Sequence, residues 1–229
     1  MENGLRPTLV IFDLDGTLYP REAYVGQVLK VIAEMFVQLR GLSPQAADAE
    51  LEDLRQAMRD DWDKTSTTSF VLSRGFTIEQ WHDFRSRHMS VSSVLQTDPQ
   101  VVQDLARLHS QVSIALLTNN TREATREILD RIGFADGAFD AVVTAEDVGQ
   151  TPKPDRHAFQ VVLATVQVQA ANAWAVGDRC AIDVEPLREM GGAGIVVAGP
   201  AELPRAVDHL IARSTNPLSP AQRRPTRGE

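Results

Sequence analysis

The sequence is short of cysteine: Cys180 stands alone in 229 residues. One thiol permits no internal disulfide, which excludes a stapled secreted scaffold and fits a reducing compartment. A basic excess is missing too. Lys and Arg number 23 against 31 Asp and Glu, a net charge of -8, which speaks against a surface made for a nucleic acid polymer or an anionic membrane. No stretch approaches the roughly 18 continuous apolar residues of a membrane span. Met1-Glu2-Asn3-Gly4 opens no signal peptide, so the expected location is cytoplasmic. His82, His88, His109, His157 and His209 contain no i, i+4 pair and have no cysteine partners. Zinc is therefore not indicated, and they read as surface or packing residues. No internal repeat is visible.

What the sequence does have is an apolar run that stops at two acids, Leu9-Val10-Ile11-Phe12-Asp13-Leu14-Asp15-Gly16-Thr17-Leu18. Leu9 to Phe12 shows no polar alternation, as expected of a central parallel strand covered on both faces. Gly16 supplies the freedom to turn away. Asp13 and Asp15 then project from the carboxyl edge, where ligands sit in open α/β sheets. Two carboxylates so close in an apolar setting need a cation or a proton, and a hard divalent metal meets that need.

Residues 22 to 40 place Val25, Val28, Leu29, Ile32, Met35, Phe36 and Leu39 at helical spacing, ending near Gly41. Ser43 and Pro44 open a second helix with Ala47, Leu51, Leu54 and Met58 on its buried stripe. After the polar break Lys64 to Ser69, a short helix carries Phe70 to Leu72. Thr77 with Gln80 forms a capping box for a helix to about His88. Residues 20 to 92 are thus a helical cap, too long for a crossover, hinged at Tyr19-Pro20 and Ser90 to Ser93.

Helix and strand then alternate, the mark of a doubly wound parallel sheet. Strands are expected at Val112 to Leu117, Phe139 to Val143, Ala173 to Val176 and Gly194 to Val197. The last helix covers residues 202 to 212, and 214 to 229 read as a disordered tail. The fold class is α/β: a Rossmann-like core of residues 1 to 19 and 93 to 213 with an inserted α-helical cap.

Three strands end in polar clusters at one edge: Asp13 and Asp15, then Thr118 and Asn119, then Asp178 and Asp183. Lys153, the only lysine in the second half of the chain, lies in the loop after the third strand. Thr118-Asn119 could alternatively cap the next helix, and Lys153 could be a solvated charge. Taken together the clusters stand in the order needed to surround one phosphate.

Here the chain resembles the haloacid dehalogenase superfamily of phosphohydrolases over about residues 9 to 200. The motifs that carry the resemblance are Asp13-Leu14-Asp15-Gly16-Thr17, Leu117-Thr118-Asn119, Pro152-Lys153-Pro154, and Gly177-Asp178 with Asp183 five residues on. The resemblance implies that Asp13 attacks phosphorus to form an aspartyl-phosphate, and that Asp15 acts as general acid and base. Mg²⁺ would be held by Asp13, the Asp15 main-chain carbonyl and Asp178, with Asp183 in an outer shell. Thr118 and the Asn119 amide would bind phosphoryl oxygens, and Lys153 would offset negative charge. The implied activity is that of a Mg²⁺-dependent phosphatase acting on a small phosphorylated metabolite. A phosphomutase or a noncatalytic phosphate-ligand protein would share the motifs, whereas a dehalogenase would need neither Asp15 nor a metal. Lys64, Thr65, Thr67 and Thr68 are cap candidates for contacting a leaving group, and Arg179 either reaches substrate or pairs with nearby acids. The oligomeric state and the particular ester are open.

Overall fold

The structure is a computed structural model that describes residues 6–90 and 94–214. Five parallel strands, β1 (Leu9–Phe12), β2 (Ser113–Leu117), β3 (Ala141–Val143), β4 (Ala173–Gly177) and β5 (Ala193–Val196), form one sheet in the order β3-β2-β1-β4-β5. β1 lies in the middle, with Phe12 level with Leu116 of β2 and Val176 of β4. That register delivers the residues following all three strands to one edge.

The side chains of β1 alternate between two buried layers. Val10 and Phe12 pack with α6 (Pro99–His109), α7 (Arg122–Ile132) and α11 (Leu203–Arg213), while Leu9 and Ile11 pack with Phe159 and Val162 of α9 (Arg156–Val166) and Leu187 of α10 (Glu185–Glu189). Coverage on both faces is why β1 carries no polar residue. The short helix α8 (Ala145–Val148), closed by a Thr144–Asp147 capping box, has no apolar period long enough to be read from sequence. Phe139 lies outside β3 and packs on Phe134 at 5.3 Å between ring centroids, so this strand is shorter than expected.

Between β1 and β2 stand α1 (Arg21–Arg40), α2 (Pro44–Glu50), α3 (Glu52–Asp60), α4 (Thr67–Ser73) and α5 (Ile78–His88). Gly41 ends α1 in a left-handed conformation, φ 67°, and the Ser43 hydroxyl accepts from Ala46 N at 3.1 Å. Two expectations need correction. The single helix expected from Ser43 onward is broken at Leu51, because Arg55 Nη1 takes the Asp48 carbonyl and Leu51 N makes a tighter bond to the same oxygen. Leu39 is exposed, since the α1 stripe turns out of the core before the helix ends. Phe36 stacks on Phe76, and the insert's buried side chains join the Val10 and Phe12 layer in one continuous cluster.

Among the described residues no helix is long and apolar enough to cross a membrane. The expected tail lies outside the described residues apart from Ser214, and so does the Ser90 to Ser93 hinge apart from Ser90.

Candidate active site

Asp13 follows β1 directly, and its N–H continues the sheet by bonding to Val176 O. The carboxylate is buried. Oδ1 accepts from Lys153 Nζ at 2.5 Å and Oδ2 from Thr17 Oγ1 at 3.0 Å. Lys153 Nζ also reaches Asp183 Oδ1 at 2.7 Å, so one ammonium lies between two carboxylates. Burial, then the Asp183 charge, push Asp13 up to about 7 while Lys153 pulls the other way. For Lys153, burial favours the neutral amine but Asp13 and Asp183 outweigh it, so its pKa rises and it stays charged.

Asp15 lies in a different environment. It accepts from Asn120 Nδ2 at 3.0 and 2.9 Å and from the Tyr19 hydroxyl, both neutral donors. Burial and the adjacent Asp15 hold the Tyr19 phenol well above its ordinary value. Two acids two residues apart thus face an ammonium in one case and an amide with a phenol in the other.

Asp178 and Asp183 hang on β4. A Cβ at Gly177 would overlap the Asp183 side chain, and one at Gly16 would come 2.5 Å from Asp178 Oδ2. Glycine at both places is therefore what lets the two loops close on each other. Asp183 accepts from Arg179 N as well as from Lys153. Asp178 Oδ2 accepts from Trp62 Nε1 at 2.9 Å, and its Oδ1 is buried without a hydrogen-bond partner. Burial, then Asp183, raise Asp178 to about 6. Oxygens of Asp13, Asp178 and Asp183 lie within 4.8 Å of one another. An all-oxygen group with an unsatisfied buried carboxylate oxygen fits a hard divalent cation.

The remaining candidates fall into place unevenly. Thr118 is fully buried, and its hydroxyl accepts from Asn120 N. The Asn119 side chain is engaged with the Lys153 backbone through paired bonds of 3.0 and 2.9 Å. Neither residue caps α7, whose N-cap is Thr121. Asn119 thereby fixes the loop that carries Lys153. Thr67 and Thr68 line the enclosed cavity above Asp13. Lys64 does not: it is exposed and paired with Asp61 at 3.0 Å. Thr65 bonds back to Asp61 O, an i to i-4 bond that turns its hydroxyl away. Arg179 lines the cavity, donates to Thr65 O and lies 3.7 Å from Asp178. Burial and Glu185 push the Cys180 thiol up, which lowers its thiolate fraction.

Sequence reasoning gave no role in the site to Thr17, Asn120, Trp62 or Arg85, and read Tyr19 only as part of a hinge. Thr17 and Asn120 adjoin motif residues and could have been found by asking what holds each aspartate. Trp62 and Arg85 carry no local signal, because their partners lie 116 and 34 residues away.

The parallel sheet gathers an ammonium-clamped aspartate, a second acid and an oxygen cluster at one edge. The chain belongs to the haloacid dehalogenase-like hydrolases, whose family model matches residues 7–191. Among solved structures it is similar to a phosphatase of this family from Thermococcus onnurineus, with 23% identity over 83% of this chain and 86% of the other and a TM-score of 0.57. A magnesium-bound family hydrolase from Bacillus subtilis gives 17% identity, 84% and 87% coverage and a TM-score of 0.54. L-2-haloacid dehalogenase from Xanthobacter autotrophicus gives 18%, 94%, 86% and 0.52. At these identities the likenesses establish the fold. Comparison with curated proteins finds no match.

Proposed function

We propose that this protein is a Mg²⁺-dependent phosphatase that hydrolyses a small phosphorylated metabolite through an aspartyl-phosphate on Asp13. The observation that carries the reading is the pairing of Asp13, oriented by Lys153 and Thr17, with Asp15 on the wall of the same cavity. A dehalogenase has no use for that second acid, and Asp15 is held by two donors of its own.

In the first step an Asp13 oxygen forms a bond to phosphorus as the ester bond breaks, and Asp15 gives its proton to the departing alkoxide. In the second, Asp15 takes a proton from water as the water oxygen bonds to phosphorus and the Asp13–phosphorus bond breaks, releasing phosphate. Lys153 holds Asp13 in place and balances charge on the transferring group, and Asn119 holds Lys153. Asp13 and Asp178 are the ligands we assign to Mg²⁺, with the Asp15 main-chain carbonyl added by the family resemblance. Asp183 acts as the outer partner, consistent with its bonds to Lys153 and Arg179 N. Mg²⁺, when bound, supplies positive charge for the phosphoryl oxygens.

The cavity measures about 20 Å³, room for a single water. In this reading the helical insert shifts as a cap to admit the ester, and the Bacillus subtilis relative is described as showing interdomain movement. The test is phosphate release from nucleotides, sugar phosphates and phosphoglycolate with and without Mg²⁺. Asp13→Asn should lower the rate by about 10³-fold or more while leaving the circular dichroism spectrum unchanged. Substantial release by that variant, or by chelated enzyme, would refute the reading.

A further inference from the structure

We propose that Arg85 recognises a second anionic group of the substrate, a carboxylate or a second phosphate, so that the preferred ester carries a negative charge beyond the phosphoryl group that is transferred. The inference rests on the phosphatase reading for the position of the first anion only.

Arg85 projects from α5 and is 3% exposed. A guanidinium cannot relieve burial by losing its proton, as a lysine can, so it needs an anion or a full set of acceptors. Its partners here are neutral and weak. Nε points at Met89 Sδ at 3.2 Å, Nη1 reaches the Asn119 carbonyl at 3.4 Å, and the group lies 5.5 Å from the Tyr24 ring and 5.7 Å from the Trp81 ring. No acidic side chain pairs with it among the described residues.

The other cations of the cavity differ in this respect. Lys153 is neutralised by Asp13 and Asp183, and Arg179 lies beside Asp178. Arg85 lines the same cavity as Asp13 and Asp15, on the wall supplied by the insert. Around it Thr67 and Tyr24 bring hydroxyls, 3.2 Å from each other, and Thr68 a third. A buried fork of N–H donors beside hydroxyls is the donor set for two oxygens of a carboxylate or a phosphate. The bond to Asn119 O ties this wall to the loop that positions Lys153, so the two anion sites belong to one enclosure. A merely structural pin from α5 to Asn119 is the competing account, and it predicts no discrimination between ligands.

Three non-hydrolysable probes separate these accounts in calorimetric titrations of the full chain at saturating Mg²⁺: methylphosphonate, phosphonoacetate and methylenediphosphonate. Phosphonoacetate or methylenediphosphonate should bind about 10- to 100-fold more tightly than methylphosphonate, the range for hydrogen bonds to a charged group, and whichever binds better identifies the second group. Arg85→Met should bring the ratio close to one, and Arg85→Lys, which keeps charge but loses the fork, should leave an intermediate ratio. Equal binding of all three probes by the wild type, no binding of any of them, or an advantage that survives in Arg85→Met or is undiminished in Arg85→Lys would overturn the proposal. Phosphate release is scored separately. Hydrolysis without a preference for two anions removes Arg85's role alone, and a preference without hydrolysis removes the phosphatase reading alone.

Discussion

The floor of the cavity, at the ends of β1, β2 and β4, is built from ions, whereas the wall supplied by α1, α4 and α5 rests on rings and aliphatic side chains. On the floor Lys153 sits between two carboxylates at 2.5 and 2.7 Å with all three groups buried. In the insert the equivalent weight is carried by Phe36 on Phe76 and by Trp81 and Phe84 in the continuous core. A buried ion cluster contributes less stability than apolar packing of the same volume would. The floor is therefore arranged for chemistry and the insert for cohesion, and the two should respond differently to perturbation.

The largest contrast should come from Lys153→Met, which leaves Asp13 and Asp183 buried without their cation. Phosphate release should fall by about 10²- to 10³-fold, and denaturant unfolding at neutral pH should show a loss of about 3–5 kcal/mol. A loss below about 1 kcal/mol would mean that the floor is better solvated than its burial implies.

The next contrast is in pH dependence. Asp13, raised to about 7, and Asp178, raised to about 6, owe this first to burial and then to Asp183. Carboxylates whose folded values are raised stabilise the fold when protonated, fully so below the ordinary carboxylate range, and that contribution is lost as pH rises through 6 to 7. The Mg²⁺ proposed above would relieve the same repulsion. Its shift of the thermal midpoint should therefore grow from about pH 5 to about pH 8, and a shift that does not depend on pH would show that these carboxylates do not set the floor's energetics.

The smallest effect should come from Trp62→Phe. The change removes the indole donor to Asp178 and keeps a ring beneath Arg21, which stacks on Trp62 at 4.7 Å. The expected loss in unfolding free energy is about 0.5–1.5 kcal/mol. A loss above about 3 kcal/mol would show that the insert hangs on this bond more than on its apolar contacts.

The same division explains what could be read in advance. β1, the alternation of helix and strand and the polar clusters at Asp13, Thr118 and Asp178 were legible, because a strand end announces itself where an apolar run stops, whereas Lys153, beyond α8, was legible only from the motif around it. The capping box at Thr77 was legible because its partners lie three residues apart. The break at Leu51 was not, since it depends on an Arg55 side chain folding back to Asp48. Nor was Asn119's grip on the Lys153 backbone, or the Tyr19 hydroxyl's contact with Asp15 at a place that reads from sequence as a hinge. Those contacts are chosen by packing between distant segments, on which local spacing is silent.

The burial of Lys153 has a practical side. The chain contains three lysines, Lys30, Lys64 and Lys153, and the first two are exposed on the helical insert. A protonated ammonium enclosed by two carboxylates is no nucleophile, so mild acylation of the folded protein leaves it untouched. The side-chain amines open to amine-directed dyes and crosslinkers are then Lys30 and Lys64, both on the insert. Among side-chain amines, common labelling chemistry thus addresses the insert alone, without engineering a single residue.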